Sequence, residues 1–238
     1  MQKDKVEEVL NLQHKKILRI LNDNYRKILD LACGLGFLSY NLSEKYPHAE
    51  VIGIDGDNSY IERSSKFFKS NNLRYKYSLI EDIEERNFDL IVFSGTIEHL
   101  PNVGIQLKII NKIMDDNGTL IITTDNAHYI KFILTGIYYS FTKKRPSLYM
   151  WHNQEGRYLW WNHHIYSWTL STLSTLLYLY GFKLENYWFC TNKLSNKFTD
   201  NIYSLIGLII PAFRKYLILK LTKFSEPTIL EIEKPITD

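Results

Sequence analysis

Short apolar runs alternate with amphipathic stretches along this chain, and the two periods separate its elements. From Val6 to Leu21, apolar residues fall at Val6, Val9, Leu10, Ile17, Leu18 and Leu21, a spacing that predicts a helix. Lys27–Leu31 reads as a short buried strand, followed by the small-residue turn Ala32–Gly36 and a helix over Phe37–Lys45. Glu50–Ile54, Tyr75–Ser78, Phe88–Ser94 and Thr119–Thr124 are further strands, apolar or β-branched through most of their length. Helices are expected over Asn58–Asn71 and Val103–Met114, and Asp115–Gly118 reads as a turn. Ser167–Tyr180 predicts a helix closed by Gly181, and Phe182–Cys190 and Thr228–Glu233 are the last two strands. Such alternation implies an α/β fold over residues 1–238, with a doubly wound, seven-stranded sheet that is mostly parallel and ends on an antiparallel strand.

Two segments, 126–166 and 191–227, break the alternation. Long insertions inside a domain are commonly lids or binding loops. In a parallel sheet, whatever leaves a strand's carboxyl end emerges on the edge where ligands bind. The first insertion leaves the fifth strand there. With an antiparallel last strand, the second joins strands six and seven on the same edge. Both are therefore expected to form a helical, aromatic cap that binds the acceptor. The first carries Tyr129, Phe132, Tyr138, Tyr139, Tyr149, Trp151, Trp160 and Trp161, which suit either stacking on a flat ligand or a lid core.

Composition narrows the classes. The 238 residues are 45% hydrophobic and 23% charged, with a net charge of +3, which gives no dedicated nucleic-acid footprint. Cys33 and Cys190 form no disulfide framework or zinc pattern. The charged start of the chain has no secretory apolar core, so a cytoplasmic protein is expected. Ile202–Phe213 is too short and too interrupted to span a bilayer. The mixture of apolar and basic residues over 203–223 is compatible with peripheral contact at the inner membrane face.

The chemistry centres on Lys27-Ile28-Leu29-Asp30-Leu31-Ala32-Cys33-Gly34-Leu35-Gly36, with Asp55 at the end of the next strand. Small residues at Ala32, Gly34 and Gly36 let backbone approach a ligand, and an acid about 20 residues on can accept both hydroxyls of a ribose. Ser39 stands where a dinucleotide motif has its third glycine. A carboxylate at Asp30 suits an ammonium group better than a pyrophosphate.

This run resembles motif I of the class I S-adenosylmethionine-dependent methyltransferases, which are Rossmann-like. The similarity continues through Asp55, Asp82-Ile83, the Asn87–Ser94 strand with Glu98-His99-Leu100-Pro101, Asn117-Gly118-Thr119-Leu120, and the Tyr166–Phe182 segment. Ala32 replaces a usual glycine, at the cost of one methyl. The resemblance implies that Asp30, Ala32 and Gly34 face the methionine moiety, Asp55 the ribose, and Asp82 and Ile83 the adenine, with Gly36, Gly56, Ser94 and Glu98 also on the cofactor. It further implies methylation of a small-molecule, sugar, glycan or lipid-linked hydroxyl. The alternatives are an RNA or protein methyltransferase and a non-catalytic relative that binds cofactor or partner. An amino-methylating Asn-Pro-Pro-Tyr motif is replaced by Phe93-Ser94-Gly95-Thr96.

Deprotonating a hydroxyl calls for a base, and His99, His128, His163 and His164 are candidates, with the first three leading. Similar ubiquinone-type O-methyltransferases have a further acid three residues before the glutamate of the Glu-His pair. Gly95 stands there, so no metal is expected.

Overall fold

A computed structural model describes residues 12–21, 24–142, 164–191 and 198–224. Seven strands, β1 (Lys27–Leu31), β2 (Glu50–Asp55), β3 (Leu73–Tyr77), β4 (Phe88–Ser94), β5 (Met114–Asp125), β6 (Phe182–Cys190) and β7 (Tyr216–Lys223), form one sheet in the order β3-β2-β1-β4-β5-β7-β6. Strands β1 to β5 pair in parallel, and β7 runs antiparallel to both β5 and β6. The helices are α1 (Leu12–Ile20), α2 (Phe37–Lys45), α3 (Asn58–Phe67), α4 (Val103–Ile113), α5 (Ile130–Thr142), α6 (Leu170–Leu179) and α7 (Phe198–Ile209).

The pleat distributes each strand's apolar residues between two cores. Leu29, Ile91, Phe93, Leu120 and Leu219 meet α4 and α6 on one face through Leu107, Ile110, Leu173 and Leu177. Their alternates Ile28, Leu90, Val92, Ile121 and Ile218 meet α1 and α2 on the other through Ile17, Leu38 and Leu42. This two-sided burial explains the continuous apolar runs, and it confirms the doubly wound α/β expectation.

The seventh strand corrects the sequence reading. Thr228–Glu233 lies outside the described residues, and the strand is Tyr216–Lys223, inside what the pattern assigned to the second insertion. Leu217, Ile218, Leu219 and Leu221 are all fully buried, so this half of 203–223 is sheet interior and cannot lie on a membrane. Its lysines look like a polar surface only in one dimension. Lys220 Nζ lies 3.5 Å from Glu185 Oε2, and Lys223 Nζ lies 2.8 Å from Asp116 Oδ1 on β5. The second insertion thus shortens to residues 191–215. It does leave from the carboxyl end of β6, since Tyr216 pairs with both Cys190 and Asp125.

The insertions contribute α5 and α7, and Tyr129, just before α5, meets Tyr203 on α7 with ring centroids 6.4 Å apart. Tyr129 is buried, in keeping with a lid core, whereas Tyr138 is half exposed. Tyr149, Trp151, Trp160 and Trp161 lie outside the described residues. Among the described residues no helix is long and apolar enough to cross a membrane.

The strand assignment sets an expectation for stability. Leu219→Ala removes a fully buried side chain and should cost about 2–5 kcal/mol in urea unfolding. Leu208→Ala, on the exposed side of α7, should change stability by no more than about 0.5 kcal/mol. Equal effects would contradict the placement of 216–223 in the sheet.

Candidate functional site

Past β1 the chain turns through three left-handed residues, Ala32 (φ 58°), Gly34 (φ 54°) and Gly36 (φ 75°). A Cβ added at Gly34 would meet nothing within 4 Å, and the same holds at Gly95 (φ 63°), just past β4. Strands β1 and β4 are neighbours, and the helices that follow them pack on opposite faces, so both glycines stand at the switch point where open α/β sheets bind ligands. The structure gives Ala32 a cost that its size does not reveal. Its left-handed backbone is worth about 1 kcal/mol of strain that glycine would avoid.

Asp55 locks this turn. Its Oδ2 accepts the Gly34 N–H at 2.8 Å and its Oδ1 accepts the Asp57 N–H at 2.8 Å. Each oxygen keeps lone-pair capacity, so the carboxylate can hold the turn and still take a pair of hydroxyls. The Ser64 hydroxyl adds a bond to the Gly34 carbonyl at 3.1 Å. Asp30 lies beneath the turn, 2% exposed, with the Ser39 hydroxyl donating to its Oδ2 at 2.6 Å. Burial, with Asp55 as a lesser contributor, pushes the Asp30 carboxyl up to about 7. Burial raises Asp55 as well.

Of the adenine pair, Asp82 is exposed on a short 3₁₀ turn at Ile80–Asp82. Ile83, which follows it, is buried in the core cluster with Val103 and Leu107. A Cβ on Gly56 would meet Leu79 Cδ2 at 3.1 Å, which puts a half-exposed leucine beside the Asp55 loop. Ser94, ending β4, shares a 2.9 Å hydroxyl contact with Thr123 on β5.

Next to Gly95, the 3₁₀ turn Ile97–His99 carries Glu98 inward, 4% exposed. Burial pushes its carboxyl up to about 7, with the backbone N–H groups of Glu98 and Asp125 opposing the rise and the Asp125 charge adding to it. Neither Glu98 Oε2 nor the neighbouring Thr124 hydroxyl reaches a partner at hydrogen-bonding geometry. A buried carboxylate oxygen left in this way is expensive and marks a place that a ligand group can satisfy. One donor atom each from Glu98, His99 and His164 lie within 4.8 Å of one another. The two imidazoles meet edge to face at 4.6 Å, and His164 Nδ1 is 3.6 Å from Asp125 Oδ2 at the end of β5. Burial lowers His164 below the ordinary histidine value and raises Asp125. Such a group can share protons or hold a small cation.

Of the three leading histidines, His99 joins this cluster. His128 stands exposed just past β5, where its backbone N–H caps onto Asn126. His163 lies outside the described residues. His164 takes its place through contacts that link distant segments: the Ile165 and Tyr166 N–H groups both donate to the Glu98 carbonyl. No local motif announces that pairing.

The comparisons agree with the geometry. Residues 22–171 match the family model of the methyltransferase domain. Over 111 residues the chain is 31% identical to the ubiquinone biosynthesis O-methyltransferase of Bradyrhizobium diazoefficiens, covering 45% of this chain and 43% of that one. Over 126 residues it is 30% identical to the malonyl-[acyl-carrier protein] O-methyltransferase of Legionella pneumophila, covering 50% and 43%. The matches therefore span less than half the length of these relatives. Among solved structures, the N-methyltransferase NodS of Bradyrhizobium japonicum, in complex with S-adenosyl-L-homocysteine, superposes with a TM-score of 0.58 at 14% identity, covering 90% of this chain and 86% of that one. An S-adenosylmethionine-dependent methyltransferase from Mesorhizobium loti gives 0.57 at 18% identity, covering 87% and 96%. The chain belongs to the methyltransferase domain family, with the class I fold whose cofactor is S-adenosylmethionine.

Proposed function

We propose that this chain transfers a methyl group from S-adenosylmethionine to a hydroxyl of a small-molecule, glycan or lipid-linked acceptor. The observation that carries the reading is the Glu98–His99–His164–Asp125 cluster beside the open glycines of the switch point. Relatives that bear O-methyltransferase names support oxygen as the atom methylated. A net charge of +3 and Phe93-Ser94-Gly95-Thr96 after β4 do not favour RNA or protein amino groups.

Bound S-adenosylmethionine supplies an activated methyl on a sulfonium, so alignment and proton removal are what remain for the protein. Asp55 is assigned to the ribose hydroxyls, with Gly34 and Gly36 giving backbone access to the methionine end. Asp30 supplies negative charge from under the turn. Asp82 lies free at the rim, in a position suited to the adenine amino group. His164 is the base, with the Asp125 carboxylate 3.6 Å from its Nδ1 to favour the imidazolium that forms when it takes the acceptor's proton. Its lowered proton affinity keeps the imidazole neutral, and so able to accept a proton, below the pH at which an ordinary histidine would be protonated. The α5 and α7 segments cap the acceptor.

Three outcomes are expected. Calorimetric titration with S-adenosylmethionine should show saturable binding, which Asp55→Ala weakens at least ~tenfold through lost charge-assisted bonds. No binding by the folded wild-type protein would remove the functional reading and leave a partner-binding relative.

The second concerns pH. With Asp30 near 7, it is mostly neutral at pH 6 and mostly charged at pH 7.5. A cationic ligand prefers the charged form, so its affinity should rise by roughly eightfold across that interval. Asp30→Asn should remove most of the slope, and an unchanged slope would exclude Asp30 as its source.

In the third, S-adenosylhomocysteine release is followed with a bacterial cell extract as acceptor pool. His164→Ala should lower turnover by about 10²-fold while leaving S-adenosylhomocysteine affinity within about twofold. Full turnover in this variant would clear His164. Wild-type turnover should persist in EDTA, and a loss restored by a divalent cation would reassign the cluster to metal binding.

A further inference from the structure

A second concavity, of about 480 Å³, opens between α1, the last residues of β6 and the end of α7. Lys15, Lys16, Arg19 and Arg214 line it, and among the described residues no carboxylate does. Lys15 and Arg19 are one helical turn apart and share a face of α1. Lys16 Nζ stands 5.4 Å from the centre of the Trp188 ring on β6. Arg214 is fixed in place: its Nε donates to the Gly207 carbonyl at 2.8 Å and its Nη1 to the Phe189 carbonyl at 3.1 Å. These bonds hold the guanidinium without neutralising it.

Four cations around one hollow repel one another, and no carboxylate among the described lining residues offsets them. A bound anion would. Arginine and lysine together suit the tetrahedral, multiply charged oxygens of a phosphate, and an arginine already pinned by backbone loses little freedom on binding one. Tyr187 and Trp188 add aromatic surface to the same wall, fit to cover an apolar or planar moiety attached to the phosphate.

The hollow adjoins the reaction edge. Gln13 on α1 accepts from the Thr123 hydroxyl at 3.5 Å, and Thr123 contacts Ser94 at the end of β4. Strand β6 delivers Trp188 to Cys190 to the carboxyl edge beside β7 and β5. A molecule anchored by its phosphate in the hollow is therefore placed on the acceptor side of the sheet.

We propose that this groove binds a phosphate- or diphosphate-bearing group of the acceptor. The acceptor role rests on the methyl-transfer reading, whereas phosphate binding in the groove does not.

The test is calorimetric titration at low ionic strength with inorganic pyrophosphate, beside a titration with S-adenosylhomocysteine. The expected result is saturable pyrophosphate binding that the Lys16→Gln/Arg19→Gln variant weakens at least tenfold. A Lys66→Gln/Lys69→Gln control, at and just past the end of α3, should leave it unchanged, and S-adenosylhomocysteine binding should be intact in all three proteins. Sedimentation with phosphatidylglycerol vesicles, against phosphatidylcholine vesicles, distinguishes the source. Binding to the anionic vesicles that the groove variant loses would place the phosphate on a lipid; pyrophosphate binding alone would place it on a free molecule. If neither pyrophosphate nor anionic vesicles bind a protein that still takes S-adenosylhomocysteine, or if both variants weaken binding equally, the groove is not a phosphate site and the methyl-transfer reading stands. Pyrophosphate binding without S-adenosylhomocysteine binding would sustain the phosphate site and overturn its role on an acceptor.

Discussion

The bond from the Gly34 N–H to Asp55 Oδ2 ties the end of β1 to the end of β2, and the geometry of the site depends on it. It fixes a turn whose left-handed residues would otherwise have alternatives, and it aims a carboxylate along the open crevice. Packing supplies the rest. With α2 on one face and α4 on the other, the connections after β1 and β4 diverge and leave Gly34 and Gly95 facing space that no side chain among the described residues fills. The sheet interior thus sets the position of a crevice made almost entirely of its edge.

Charge then decides what the crevice favours. Asp30, Asp55, Glu98 and Asp125 all sit at or beneath the carboxyl edge, and burial raises the proton affinity of each. The chain is slightly basic overall, so this acidity is local. Carboxyl groups held in this way gain most from a cationic ligand, and S-adenosylmethionine carries both a sulfonium and an ammonium. The groove beside α1 has the opposite character, with four cations and no acid among its described lining residues. On the proposed reading, the two ends of the reaction are sorted by sign: the cofactor at the acidic crevice, the phosphate of the acceptor at the basic groove.

Much of this was legible in one dimension because it is local. Strands β1, β4 and β6 have the limits that the apolar runs imply, and the small-residue turn and Asp55 fall in register with them. What escaped depends on contacts between distant segments. Strand β7 was hidden because Lys215, Lys220 and Lys223 make an amphipathic pattern, while their acceptors, Tyr216, Glu185 and Asp116, come partly from neighbouring strands. The His164–Asp125 pair joins residues on either side of an insertion, so no spacing rule reveals it. Asp30 shows a subtler limit. Its place in the motif was plain, but only the fold shows that it lies under the turn, bonded to Ser39. That Ile83 packs into the core is likewise visible only in the fold.

The most direct test is a crystal structure of the protein with S-adenosylhomocysteine. The account requires ribose hydroxyls on Asp55, the methionine end along Gly34 and Gly95, and the sulfur facing the Glu98–His99–His164 cluster. A ligand bound with its sulfur turned away from that cluster, or seated elsewhere on the molecule, would contradict the assignment of this edge as the site of methyl transfer.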